Sequence, residues 1–417
     1  MRWTAILPAL VLLALPASAQ AGAEVVPNQL VVGFKSGTSS SDQSRILDRV
    51  GGTRRRTLRR IRAASINPRS GVTLERLRAR LRDDPNVRYV EPDFILRASK
   101  EPDDPQYDVQ YALAAPGTGS ISAPPAWDTK SSCTKVGVLD TGAQTDHPDL
   151  VDNLYVNSAD KPNNNKDDDK NGWVDDNIGI DLVAGKGDGE DDNGHGTHVS
   201  GIIAAKSNND TGVSGTCWKG SIVPIKFMDS KGRGSTSDAA DGIEYAIKRG
   251  IKIINCSFGS TSKSSALQDA VDDAQDKGVL IVVAAGNDGD NIDTEPEYPA
   301  SFTNSNILTV AASTSSDTLA SFSNYGPDSV DVAAPGDNIR STYLGSTYKN
   351  LDGTSMAAPY VSGAAALLKA ANSDATYTDL RTALRKKVDK PSALDGKVVY
   401  DGRLNVQKAL DYIRSLD

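Results

Sequence analysis

The run VLIVVAAG at Val279–Gly286 is short, continuously apolar and rich in Val, and it stops at a glycine followed by Asn287. A strand covered on both faces reads this way, because neither of its faces needs polar residues. Working outward, KVGVLD (Lys135–Asp140), SIVPIKFM (Ser221–Met228), IKIINCSF (Ile251–Phe258) and ILTVAAS (Ile307–Ser313) repeat the pattern. Helical stretches lie between them: HGTHVSGIIAAK (His195–Lys206), DAADGIEYAIKRG (Asp238–Gly250) and SALQDAVDDAQDKG (Ser265–Gly278). Strands alternating with helices predict an α/β domain with a mostly parallel sheet. Chemistry in such folds sits at the carboxyl ends of the strands, where Asp140 closes KVGVLD and Asn287 follows VLIVVAAG. No internal repeat is evident, and GRLNVQKALDYI (Gly402–Ile413) predicts a closing helix.

The amino-terminal part reads differently. QLVVGF (Gln29–Phe34) and VRYVEPDFIL (Val87–Leu96) are β-like and flank LERLRARL, which sets Leu74, Leu77 and Leu81 at helical spacing. This small α+β unit runs into EPDDP (Glu101–Pro105), a Pro/Asp-rich exposed linker. Residues 23–100 carry 17 Lys+Arg against 8 Asp+Glu, whereas residues 101–417 carry 28 against 46. Opposite signs in the two parts favour attraction between them. The first residues, MRWTAILPALVLLALPASAQA, have a basic start, an apolar stretch and small residues at Ala17 and Ala19. That is the pattern of a cleaved export signal over residues 1–21, cut after Ala19 or Ala21, and too short for a membrane anchor. A secreted (extracellular or periplasmic) protein is expected, and export argues against a nucleic-acid partner. Of the three cysteines, Cys256 lies in an apolar run and reads as a buried, inert thiol. Cys133 and Cys217 could pair, and the sequence alone leaves that open.

Three histidines occur, at 147, 195 and 198, so the search for a general base is short. His195 and His198 lie in NGHGTHVSG, a glycine-rich entry to a helix; Asp140 lies in VLDTG; Ser355 lies in GTSMAAPYVSGAAALL. Singly, each has a bland reading: an Asp at a strand end turns the chain, and a Ser at a helix start caps it. Together and in order they do not. VGVLDTGAQTDHPDL (Val136–Leu150), NGHGTHVSGIIAA (Asn193–Ala205) and DGTSMAAPYVSGAAALL (Asp352–Leu368) resemble the three signature segments of the subtilases, peptidase family S8. Residues 103–412 resemble that family throughout. DDPQYDVQYAL before PPAWD is similar to the extended N-terminus of its thermitase-like members.

The resemblance implies a subtilisin-like three-layer catalytic domain over residues 101–417 and a serine endopeptidase activity on proteins or peptides. Ser355 would be the nucleophile, His195 its base, Asp140 the residue that orients His195, and Asn287 an oxyanion donor. His198 would be structural, and His147, before Pro148 in a surface turn, has no catalytic role. Peptide-binding edges are implied at Gly232, Arg233 and Gly234 and at Ser257, Phe258 and Gly259. Glu297, where the primary specificity pocket closes, departs from the small or neutral residue usual there and would favour Lys or Arg before the scissile bond; it could instead face solvent or a metal. Calcium is expected at Asp104, Asp149 and Asn209 with the carbonyls of Thr211 and Val213. A second candidate loop holds Asp167, Asp169, Asn171 and Asp176, but Ile178 stands where an EF-hand loop would end in Glu. Residues 24–100 resemble the inhibitory propeptide of these enzymes, a folding assistant and intramolecular inhibitor. LRASKEPDD (Leu96–Asp104) would lie through the cleft, with self-cleavage near Ser99–Glu101. A monomer is expected. An ester hydrolase of the α/β type is excluded by the order of the three residues and by the absence of G-x-S-x-G around Ser355. The alternative from another class is a catalytically silent, calcium-dependent binding protein on the same scaffold.

Overall fold

The computed structural model describes residues 25–95, 101–114 and 116–416. The expected export signal and the residues around the expected self-cleavage site, Ser99 and Lys100 among them, lie outside the described residues. The chain divides into two compact units, one within the first 98 residues and one from residue 99 on.

The smaller unit is a four-stranded antiparallel sheet with two helices. Its elements are β1 (Val25–Phe34), α1 (Ser40–Val50), β2 (Gly52–Leu58), β3 (Ala63–Pro68), α2 (Leu74–Arg82) and β4 (Val87–Phe94), with sheet order β2-β3-β1-β4. Ser39 caps α1 through its hydroxyl, and Thr73 caps α2 in the same way. The leucine spacing of α2 works as expected: Leu77 and Leu81 are fully buried against Leu30, Val32 and Ile66, while the arginines between them stay outside that core.

The larger unit opens with α3 (Ala123–Thr129) and β5 (Ser132–Asp140), then β6 (Ile180–Asp181), α4 (His195–Ala204) and β7 (Lys219–Lys226). Next come α5 (Thr236–Lys248), β8 (Ile253–Cys256), α6 (Ser265–Asp276), β9 (Leu280–Ala284), β10 (Ile307–Ser313) and β11 (Val332–Pro335). A hairpin of β12 (Ile339–Tyr343) and β13 (Thr347–Leu351) leads into α7 (Thr354–Ala371), followed by α8 (Tyr377–Lys386) and α9 (Val406–Arg414). Seven strands form one sheet of order β11-β10-β9-β8-β5-β7-β6, with all six pairings parallel.

The apolar runs explain the layers. In β9, Leu280, Val282 and Ala284 join the core built with α4 and α7, whereas Ile281 and Val283 join the core built with α5 and α6. A strand clad on both faces needs apolar residues at every position, as VLIVVAAG has. Helix α7 is buried on nearly all sides, which its Ala/Gly-rich sequence allows. From β5 the chain adds β6 and β7 on one side and then crosses to add β8 onward on the other. The switch therefore falls between β5 and β8, and a crevice outside their carboxyl ends is where such sheets hold ligands.

The structure resolves the cysteine pairing. Cys133 at the start of β5 is bonded to Cys217, 84 residues on, and Cys256 is a buried free thiol whose burial pushes its pKa far up. Closing so long a loop restricts the unfolded chain. Replacing both Cys133 and Cys217 with Ser is expected to lower stability by roughly 3–5 kcal/mol, read from denaturant unfolding of the oxidised and mutated proteins.

Candidate active site

The carboxylate of Asp140 ends β5 with no exposed surface. Its Oδ1 accepts the N–H of Thr141 at 2.7 Å and lies 2.7 Å from Nδ1 of His195, the first residue of α4. The approach depends on the next residue. A Cβ on Gly196 would overlap the Gly142 carbonyl and stand 3.1 Å from Asp140 Oδ1, so only glycine lets α4 begin this close to the strand end. Asp191 fixes the turn into the helix. One of its oxygens accepts the N–H groups of Asn193 and Gly194, and the other accepts the N–H and hydroxyl of Thr197. Burial disfavours a charged His195, but the charge and hydrogen bond of Asp140, with Asp191 beyond, outweigh it and hold the imidazole pKa above its ordinary value. Behind Asp140, the buried Lys226 donates to the carbonyls of Thr141 (2.9 Å) and Met228 (2.8 Å) and pairs with Asp192 at 2.6 Å. Sequence reasoning missed Asp191 and Lys226; a lysine inside the apolar run IVPIK was the available signal.

Ser355 is the second residue of α7, whose N-terminus has no side-chain cap. Its hydroxyl donates to the carbonyl of Ser257 at 3.1 Å. Among the described residues the Ser355 hydroxyl is hydrogen-bonded to Ser257 and not to the imidazole of His195, the residue expected to act as its base. Catalytic contacts often tighten only when substrate is bound. Asn287, two residues past Ala285, accepts the N–H (2.8 Å) and hydroxyl (3.0 Å) of Thr354 with its Oδ1, which leaves its NH2 to donate elsewhere. Gly353 has φ 150° and ψ 157°, a conformation open only to glycine. A Cβ there would stand 3.6 Å from the Ser355 nitrogen and 3.7 Å from both polar atoms of the Asn287 side chain. The Ser355 N–H and the Asn287 amide thus border the same small space, the arrangement that can stabilise an oxyanion.

A cleft of about 630 Å³ opens beside His195, lined by Asn193, Met228, Gly232–Gly234 and Ser257–Gly259. Both expected peptide-binding edges face it. The Arg233 side chain turns to the rim, paired with Asp229 at 2.9 Å. Phe258 packs on Phe227, with ring centres 4.6 Å apart. Glu297 is half-buried with its carboxylate against Gly259 and its Cγ near Gly286; burial and the charge of Asp288 raise its pKa. Tyr298, Phe258 and Gly259 line a smaller neighbouring hollow.

The other histidines hold the hairpin that delivers Ser355. His198 Nε2 lies 3.1 Å from the Ile339 carbonyl and 3.0 Å from that of Lys349, and burial pushes its pKa down to about 4. His147 corrects the surface reading given to it above: it is fully buried. Its Nδ1 accepts the N–H of Asp149 and its Nε2 meets the Thr347 carbonyl, so both ring nitrogens have partners that the His-Pro turn did not announce.

Asp104, Asp149 and Asn209 come together as expected. Asp149 accepts the Asn209 amide and the Val213 N–H, both at 2.9 Å, and Asp104 accepts the N–H groups of Asn208 and Asn209. Thr211 donates its N–H to Asn209 Oδ1. Both carboxylates are buried, neither makes an ion pair among the described residues, and burial, with the Asp104 charge beside it, lifts Asp149 to about 6. Two buried acids without a cation are the chemistry a calcium ion would complete. The second acidic loop is different: Arg249 lies 3.0 Å from Asp169 and 3.8 Å from Asp176, and Asp167 accepts the N–H groups of Asn171 and Gly172. Among the described residues no three His, Cys, Asp or Glu side chains converge as a ready metal set.

The fold and site define a serine hydrolase on a parallel α/β scaffold, and comparison with known proteins gives the family. The subtilase family model matches residues 131–403, and the model of the fervidolysin N-terminal prodomain matches residues 14–93. The chain belongs to the subtilase family and is a subtilisin-like serine protease with an N-terminal prodomain. It is 41% identical to thermitase of Thermoactinomyces vulgaris over 313 residues, 75% of this chain and 99% of that protein. It is 36% identical to a thermophilic serine proteinase of Bacillus sp. (strain AK1) over 390 residues, 93% of this chain and 88% of that protein. Among solved structures, a protease from Pseudoalteromonas arctica matches with a TM-score of 0.62 and 32% identity, covering 75% of this chain and 99% of that one.

A base must be neutral to act, so kcat/KM is expected to rise with pH through a midpoint above the ordinary histidine value of about 6.5. Asp140→Asn removes the charge that raises it. The midpoint should move down and kcat should fall by roughly 10⁴, measured as a pH–rate profile on a peptide amide.

Proposed function

We propose that this chain is a secreted endopeptidase that cuts peptide bonds through an acyl-enzyme on Ser355 and matures by cutting itself. The observation carrying this reading is the fully buried Asp140 carboxylate 2.7 Å from His195 Nδ1, which leaves Nε2 to serve the nucleophile. His195 takes the proton of Ser355 as Oγ bonds to the substrate carbonyl carbon, and the carbonyl oxygen becomes an oxyanion facing the Ser355 N–H and the Asn287 amide. Collapse breaks the C–N bond, and His195 returns the proton to the leaving amine. Water then repeats the sequence on the acyl-enzyme.

The boundary near Ser99–Glu101 would separate the propeptide, residues 24–100, from the mature enzyme, with residues 1–21 removed on export. The opposite charges of the two parts favour the propeptide as an intramolecular inhibitor. No helix among the described residues is long and apolar enough to cross a membrane. Calcium is assigned to Asp104, Asp149 and Asn209 with the Thr211 and Val213 carbonyls; at the second loop Arg249 already supplies positive charge beside Asp169 and Asp176. Glu297, against Gly259 of the cleft edge, supports selection of Lys or Arg before the scissile bond.

Incubating purified precursor and its Ser355→Ala variant and following both by mass spectrometry tests the reading. The wild type should shed a fragment ending near residue 100 and react with a serine-directed phosphonate; the variant should do neither. Retained processing in the variant overturns Ser355 as nucleophile. Asn287→Ala should keep KM and lower kcat by about 10²–10³. Excess chelator should lower the melting temperature, since an ion bound only to the folded state stabilises it by mass action. An unchanged melting curve removes the calcium assignment. Glu297→Gln should weaken cleavage after Lys and Arg relative to Leu, about tenfold in kcat/KM.

A further inference from the structure

Ser355 and Ser257 are joined twice. The Ser355 hydroxyl donates to the Ser257 carbonyl at 3.1 Å, and the Ser257 hydroxyl donates to the Ser355 carbonyl at 2.9 Å. The second bond has a reason in the helix. The carbonyl of Ser355 would ordinarily accept from the residue four positions on, but that residue is Pro359, which has no N–H. Ser257 supplies the missing donor. It is itself held from behind: Asn255 donates to the Ser257 hydroxyl oxygen at 2.9 Å, and Ser362, two turns past Ser355 along α7, donates to the Asn255 side-chain oxygen at 2.8 Å. Asn255 and Ser362 are fully buried and Ser257 nearly so, so this chain of bonds is fixed by packing.

The first bond has a consequence for the order of events, and it rests on the protease reading above. The Ser257 carbonyl belongs to the cleft edge along which a substrate strand would lie. A carbonyl oxygen has two lone pairs, so a backbone N–H of that strand competes with the Ser355 hydroxyl for the one that faces the cleft. We infer that Ser257 is a positioning residue which parks the Ser355 hydroxyl in the empty enzyme, and that the substrate's own amide N–H, by claiming the Ser257 carbonyl, releases that hydroxyl to His195 Nε2. The network from Ser362 through Asn255 keeps Ser257 rigid while its carbonyl changes partners. Once Oγ is esterified it has no proton to park, so the device acts on acylation and is silent in deacylation. The acylation step stays balanced: the hydroxyl proton passes to His195, Oγ bonds to the carbonyl carbon, and for an ester substrate the proton leaves with the alcohol.

The test uses the wild-type mature enzyme and two peptide nitrophenyl esters that differ by one N-methyl group on the residue before the scissile bond. Stopped-flow bursts at saturating substrate separate acylation from deacylation. The N-methyl ester is expected to acylate at least about tenfold more slowly, with deacylation changed less than about twofold. A plain binding role would appear in KM, and a general misplacement would slow both steps in parallel; either result, or equal acylation rates, overturns the inference. No turnover of the unmethylated ester, or turnover surviving in Ser355→Ala, overturns the protease reading itself and this inference with it. Ser257→Ala gives an independent arm. Acylation should fall roughly tenfold with KM nearly constant, and Ser257→Thr, which keeps the hydroxyl, should recover most of the loss. Equal rates in Ser257→Ala and wild type would remove the hydroxyl from the account.

Discussion

A buried negative charge at the end of the middle of the sheet organises the catalytic unit. Asp140 has no exposed surface, and taking a carboxylate out of water is costly unless hydrogen bonds and opposite charge compensate it. The Thr141 N–H and His195 do so directly, and the Lys226 amine, bound to the Thr141 carbonyl, stands behind them. Every one of these groups is placed by a parallel strand end or by the helix that follows one. The sheet must therefore be complete before the charge can be tolerated, and the imidazole inherits its orientation from that completeness. Asp191 extends the logic to the turn before α4, where one carboxylate satisfies four donors and leaves His195 no other starting point.

Ser355, the proposed nucleophile, reaches the same cleft by a separate route. Hairpin β12–β13 carries the chain to Gly353, and two buried neutral histidines pin its carbonyls. Neutrality matters at His147 because its Nδ1 accepts the Asp149 N–H, a bond a second proton would break, and burial keeps His198 far below its usual range. Of the three histidines, one is tuned upward by a carboxylate and two are tuned downward by burial. The same side chain is tuned in opposite directions, according to what surrounds it.

Much of this was legible in the sequence, for identifiable reasons. VLIVVAAG and its companion runs announced strands clad on both faces because a parallel sheet leaves no polar face to interrupt them. Asp140, His195, Asn287 and Ser355 were singled out through the resemblance of their segments to the subtilase signatures, and Gly196 and Gly353 show why such segments need glycine. Contacts between distant small polar residues were not readable. Asn255 and Ser257 lie at the end of β8 and Ser355 and Ser362 on α7, about 100 residues further on, and no local pattern links the two pairs. Three cysteines allow three pairings, so the bridge needed coordinates. His147 before a proline looked like a turn because its two partners, the Asp149 N–H and the Thr347 carbonyl, include one 200 residues away. Arg249, far along the chain, changed the meaning of the acidic loop around Asp169 in the same way.

The Cys133–Cys217 bridge gives the catalytic unit a dependence on where it is. It ties the first residues of β5 to the segment entering β7, at the opposite end of the strand from Asp140. Such a bond persists under oxidising conditions and is lost to reducing thiol buffers. A copy of the chain held among glutathione and thioredoxin would lack the crosslink that closes an 84-residue span, and would be the more readily unfolded. The stability of the catalytic unit is thereby linked to the redox state of its surroundings.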